Sequence, residues 1–169
     1  MIERASRIAY VGVGSNHLAE DNIARGMALL AERFRIAERS RVYTSEDTTG
    51  QGADYLNLVV GLMCTSTMSV LKDQCREVER LCGRDRNEPS AVALDLDVLM
   101  LVDTTVEPAV SESYLPPVSE FGKSAHVLLP LADLLPDWIH ADRGVTLTEI
   151  CAELGHTAIR PIEYRAHEG

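Results

Sequence analysis

Residues Leu94-Asp95-Leu96-Asp97-Val98-Leu99-Met100-Leu101 alternate aliphatics with acids before running fully apolar, a pattern that few folds accept. Successive side chains of a strand point to opposite faces. Leu94, Leu96, Val98 and Met100 are therefore expected on a buried face, and Asp95 and Asp97 together on the other, ~6.5 to 7 Å apart. At an effective dielectric of ~20 two carboxylates at that spacing repel by roughly 2 to 2.5 kcal/mol. Solvation, protonation of one acid, or a divalent cation between them each relieves the repulsion. Two hard oxygen donors suit Mg²⁺, which takes one or two carboxylates and completes its octahedron with water and phosphate oxygens. A solvated strand end whose acids only aid solubility is the plain alternative.

The segments around this strand set the fold class. Residues 7–14 form an apolar strand pattern ending in Gly14-Ser15-Asn16, a turn. Ile23, Met27, Leu30 and Phe34 then recur at helical spacing, which predicts a helix over about 20–34. Residues 36–45 read as a second strand, followed by the loop Thr48-Thr49-Gly50-Gln51-Gly52. Residues 55–62 read as a third strand, with Leu56, Leu58, Val60 and Leu62 on one face and Tyr55 and Asn57 on the other. A second helix over about 68–82 aligns Leu71, Cys75, Val78 and Cys82, with Ser66 or Thr67 as cap and Gly83 as stop.

With the acidic strand fourth, the order is β-α-β-β-α-β, the split βαβ pattern of ferredoxin-like α+β folds, an antiparallel sheet with helices on one face. Once the apolar faces of strands three and four lie under the helices, Tyr55, Asn57, Asp95 and Asp97 project together from the opposite face. Extra C-terminal elements follow: a loop-like stretch over 118–124, short helices over 126–135 and 147–154, and an undetermined tail from His156.

At 169 residues the chain reads as one domain, 1–169, with a core of about 7–155 and the tail 156–169 unassigned. No apolar run approaches the ~18 residues of a membrane span, and the first residues lack a signal-peptide pattern, which points to the cytoplasm. With 16 Lys plus Arg against 26 Asp plus Glu, the net charge of −10 opposes generic nucleic-acid binding. Any bound phosphate must meet a local basic patch or a metal. Cys64, Cys75, Cys82 and Cys151 show no C-x-x-C spacing and read as reduced core thiols. His126, His140 and His156 are isolated and receive no chemical role. Oligomeric state is not legible.

Taken in order, Gly14-Ser15-Asn16, Ser40-Arg41-Val42-Tyr43, Asp54-Tyr55-Leu56-Asn57, Glu79, Gly83-Arg84-Asp85-Arg86, Leu94-Asp95-Leu96-Asp97 and Val127-Leu128-Leu129-Pro130-Leu131 resemble the 6-hydroxymethyl-7,8-dihydropterin pyrophosphokinase family over most of the chain. The resemblance implies transfer of pyrophosphate from ATP to a pterin alcohol with release of AMP. It implies that Asp95 and Asp97 hold two Mg²⁺ ions bridging the ATP phosphates, and that Arg84 and Arg86 neutralise charge on the transferred group. Ser45, Tyr55, Asn57 and Asn16 fall at pterin-pocket positions of the family, and Glu79 near its phosphate site. The chain also departs from the pattern. Asn87-Glu88-Pro89-Ser90-Ala91-Val92-Ala93 stands where the family carries a further Arg and an aromatic, and Glu46-Asp47-Thr48 where it favours prolines. Pro116-Pro117 replaces its Pro-His pair, and only Lys123 lies near its later Arg. A paralogue with this fold that binds a pterin or nucleotide with impaired catalysis is the alternative reading.

Overall fold

The computed structural model describes residues 7–47, 50–105, 111–113, 115, 118–154 and 158–164. Its elements are β1 (Arg7–Ser15), α1 (Ala19–Ala31), β2 (Arg35–Arg39), β3 (Val42–Ser45), β4 (Tyr55–Cys64), α2 (Met68–Leu81), β5 (Asp95–Asp103), β6 (Ser111–Ser113), a 3₁₀ turn (Val118–Lys123), α3 (Ala125–Leu134), α4 (Leu147–Glu153) and β7 (Arg160–Ile162). The strands form one sheet in the order β6-β5-β1-β4-β3-β7, with β2 also on β4. Every pairing is antiparallel. The chain is α+β with the expected ferredoxin-like core.

The expected second strand is two. Ser40 interrupts it, because its hydroxyl accepts from Val59 N (2.9 Å) and donates to Arg41 O (2.7 Å), taking ladder positions that a regular strand would fill with backbone. β2 thus pairs with the far half of β4 and β3 with its first residues. Of the two candidate caps of α2, Thr67 is used, accepting from Val70 N, and Gly83 ends the helix at φ +84°.

Helices α1 and α2 cover one face of the sheet, where Ile23, Leu30, Leu71, Cys75 and Val78 pack on Val11, Val13, Leu58, Val60, Leu62, Leu94, Leu96 and Val98. The C-terminal elements cover part of the other face: Leu128 and Leu131 of α3 and Leu147 and Ile150 of α4 pack on Tyr10, Val59, Leu99, Met100 and Val102. Met100 is a correction to strict alternation. The β1–β5 register slips between Tyr10 and Val11, which pair with Met100 and Val98, so Leu99 is an extra residue, a β-bulge. Beyond it the phase inverts, and Leu101 rather than Met100 faces α1 and α2.

The stretch expected as loop before α3 is a 3₁₀ turn, and the tail supplies β7, which pairs with β3. Thr48, Thr49, Pro116, Pro117, His156 and residues 165–169 lie outside the described residues. Asp133 pins α3 to β3, accepting from Arg41 (2.6 Å) and from the phenol of Tyr43 (3.0 Å). All four cysteines are free thiols, three of them buried, as the sequence implies. Among the described residues no helix is long and apolar enough to cross a membrane.

Candidate active site

The second face of the sheet is left open at one end, and glycine makes it hollow. Gly14 pairs with Asn57 of β4 on one side and Asp95 of β5 on the other, while Gly12 pairs with Val59 and Asp97. Adjacent strands lie ~4.8 Å apart, so the Asp95 and Asn57 backbones stand about 10 Å apart across a floor without side chains. A Cβ at Gly14 would sit 3.4 Å from Asn57 Oδ1, and one at Gly12 3.7 Å from a Leu99 methyl. The cleft has a volume of ≈ 870 Å³, ample for a small ligand with a phosphate chain.

Three walls rise from this floor. Asp95 and Asp97 form one; Tyr55, Asn57 and Ser45 form the second; Lys123 and the start of α3, with His126, form the third. The Asn57 amide donates from Nδ2 to Ser45 Oγ (2.9 Å), which leaves its Oδ1 as an acceptor turned toward the Gly14 floor. Asp97 is open to the cleft water, yet the surrounding walls and then the neighbouring Asp95 charge raise its pKa. Burial lowers that of His126 despite a hydrogen bond to the Lys123 backbone and the nearby charges of Asp97 and Asp95, so the imidazole is neutral at neutral pH. Burial, followed by Asp47 and Asp95, raises Tyr55, which stays a neutral phenol.

The turn Gly14-Ser15-Asn16 anchors the acidic strand. Ser15 Oγ donates to Ala93 O (2.7 Å), Asn16 Oδ1 accepts from Val92 N (2.7 Å), and Asn16 Nδ2 donates to Ser90 O (3.0 Å). Asn16 is buried, and its side chain holds the loop ahead of β5 rather than lining the cleft.

Glu79, Arg84 and Arg86 line a separate, smaller pocket of ≈ 320 Å³ at the C-terminal end of α2, together with Arg76 and Arg80. Glu79 stands between the two spaces. Its Oε1 accepts from Leu96 N (2.8 Å), the amide between the two aspartates, and its Oε2 from Arg86 (3.2 Å). Burial raises its pKa, which the Leu96 N–H partly offsets. Arg84 couples electrostatically to both Glu79 and the Tyr55 phenol.

The structure therefore brings Ser45, Tyr55, Asn57, Asp95, Asp97 and Lys123 into one cleft and sets Glu79, Arg84 and Arg86 in an adjoining pocket. Sequence reasoning missed Gly12, Gly14 and His126 as parts of the cleft. The glycines carried a signal, since two at i and i+2 in an otherwise apolar strand leave one face bare. His126 carried none, because its place depends on how α3 folds back over the sheet.

A split βαβ core with paired carboxylates over a bare floor and an arginine pocket alongside is an arrangement suited to nucleotide-dependent group transfer. The family model of 7,8-dihydro-6-hydroxymethylpterin-pyrophosphokinase matches residues 10–136, from β1 through α3. The chain belongs to this family, and it is an ATP-dependent pyrophosphokinase. It is 28% identical over 158 residues to the 2-amino-4-hydroxy-6-hydroxymethyldihydropteridine pyrophosphokinase of Synechocystis sp., a match that spans 91% of this chain and 80% of that protein.

Proposed function

We propose that the chain transfers pyrophosphate from ATP to 6-hydroxymethyl-7,8-dihydropterin in a Mg²⁺-dependent reaction that releases AMP, a step of folate biosynthesis in the cytoplasm. The observation that carries the site assignment is the placement of Asp95 and Asp97 beside the bare floor, opposite Tyr55 and Asn57. No cluster of three or more acidic, His or Cys donors able to hold a metal occurs among the described residues. Mg²⁺ does not need one, because phosphate oxygens and water complete its shell. The raised pKa of Asp97 marks a carboxylate whose charge lacks compensation in the free protein. Asp95 and Asp97 would hold the metal, and its chemistry there is to neutralise charge on the phosphate chain and orient it.

The chain's own groups do the rest by positioning. Tyr55 offers its ring face, and Asn57 Oδ1 accepts from a ring N–H. With the ring fixed on this wall, the acceptor hydroxymethyl group points across the Gly12–Gly14 floor toward the carboxylates. Its oxygen attacks the β-phosphorus in line as the hydroxyl proton passes to solvent, the bond to the bridging α–β oxygen breaks, and AMP carries that oxygen away. Lys123 brings a cation from the third wall to the developing charge.

Incubation with ATP, Mg²⁺ and 6-hydroxymethyl-7,8-dihydropterin should yield AMP and a pyrophosphorylated pterin in equal amounts. ADP as product would indicate single phosphoryl transfer. Saturable ligand binding without any nucleotide product at high enzyme concentration would overturn the assignment in favour of a binding paralogue.

A further inference from the structure

The arginine pocket contains two cations that the sequence motifs do not touch. Arg76 and Arg80 come from successive turns of α2 and line the same ≈ 320 Å³ space as Arg84 and Arg86, four guanidinium groups against the single carboxylate of Glu79. In a chain of net charge −10 this is a local excess of positive charge. Arg76 is held by Asp73 (3.2 Å) and Arg80 by Glu77 (2.7 Å), both in exposed i,i+3 pairs. Such pairs contribute little and exchange readily for a stronger anion. Arg84 Nε is buried and has no hydrogen-bond partner, so this guanidinium is incompletely satisfied in the free protein.

The pocket and the cleft approach each other at β5, where Glu79 of the one bonds Leu96 N, between Asp95 and Asp97 of the other. β6 pairs only with Met100, Leu101 and Val102, so the Asp95–Val98 edge has no strand beside it among the described residues. Its outward amide at Leu96 is capped by Glu79, which lines the pocket. A phosphate chain held at Asp95 and Asp97 can therefore extend past Glu79 into the arginines.

We propose that Arg76 and Arg80, with Arg84 and Arg86, bind a phosphate group of the ATP donor and supply positive charge that the loop over residues 87–93 does not carry. This rests on the ATP-dependent reading of the cleft. Guanidinium forks fit phosphate oxygens in a way that a lysine does not, and four of them round one small space match a polyphosphate rather than a lone carboxylate.

Titration calorimetry with MgATP tests it on the full chain and on the double variant Arg76→Gln/Arg80→Gln. Both side chains are exposed, so the variant should fold, which a thermal melt checks. The double variant should bind MgATP about tenfold more weakly, with a shallower dependence on salt and an unchanged KM for the pterin. Inorganic tripolyphosphate should compete with ATP on the parent and lose that ability in the variant. Arg143→Gln, which removes an equal charge beside α4, serves as control and should leave MgATP affinity unaltered. A parent protein that binds no MgATP would refute the ATP reading itself. A parent that binds, with a folded double variant of the same affinity, would overturn only the role of the α2 arginines. Equal losses in the double variant and the Arg143 control would assign the effect to net charge and overturn it too.

Discussion

Replacing Asp97 by asparagine separates the cost of the acidic pair from its use. The two carboxylates stand at adjacent same-face positions of β5, ~6.5 to 7 Å apart, where repulsion amounts to about 0.6 kcal/mol in bulk water and about 2.5 kcal/mol at an effective dielectric of ~20. Asp97 lines the cleft but is open to water, so a value of about 1 kcal/mol is expected. The Asp97 carboxyl has a pKa above its ordinary 3.8, so the folded protein holds more protons than the unfolded chain from that value up to the raised one. Apo stability accordingly falls as pH rises through this window. Asp97→Asn should flatten that slope and raise the apo melting temperature near pH 7 by about 2 to 4 °C. Saturating MgATP should stabilise the parent by about 2.7 kcal/mol at a hundred times its Kd, or about 5 to 10 °C, and most of this should vanish in the variant. Differential scanning fluorimetry across pH 4 to 8, with and without MgATP, reads both effects. An asparagine variant that melts at or below the parent and keeps its full MgATP response would refute both the repulsion and the metal assignment.

Three further expectations concern the cleft. Lys123→Ala should lower kcat about tenfold through loss of transition-state charge stabilisation. With Lys123 in place of a forked arginine, turnover on the standard pterin should also fall well below that of a family member carrying the full arginine set. Steady-state assays run side by side check both, and equal rates would remove Lys123 from the chemistry. Gly14→Ala places a methyl 3.4 Å from Asn57 Oδ1, so the KM for pterin should rise several-fold with MgATP affinity unchanged; pterin titration by fluorescence would expose an error if affinity held.

Local patterns fixed much of this molecule in advance. Alternation in residues 55–62 and 94–98, and the helical stripe from Leu71 to Cys82, each record burial on one side of one element, and that information lies within a few residues. The convergence of Tyr55, Asn57, Asp95 and Asp97 followed because antiparallel pairing through β1 brings two such elements into register. The break at Ser40 was not legible, since a hydroxyl replaces backbone in the ladder only when Val59 lies opposite. Nor was the bulge at Leu99, which a continuous run of aliphatics conceals. Separation of Glu79, Arg84 and Arg86 from the cleft arises from the far side of the β5 edge, a three-dimensional boundary without counterpart in residue spacing.

The bulge at Leu99 makes the length of β5 a coding constraint. Upstream of it the odd-numbered residues Asp95 and Asp97 face the cleft; downstream the even-numbered Met100 and Val102 meet the C-terminal helices. Because Leu99 is the extra residue, deleting it would leave a strictly alternating strand in which Asp95, Asp97 and Met100 still share one face and Leu96, Val98 and Leu101 the other. Deleting two residues between Asp97 and Leu101 would instead turn Leu101 onto the face covered by α3, or both aspartates into the aliphatic layer under α1 and α2. Viable length variation in descendants of this gene should therefore include loss of a single codon here and exclude loss of two.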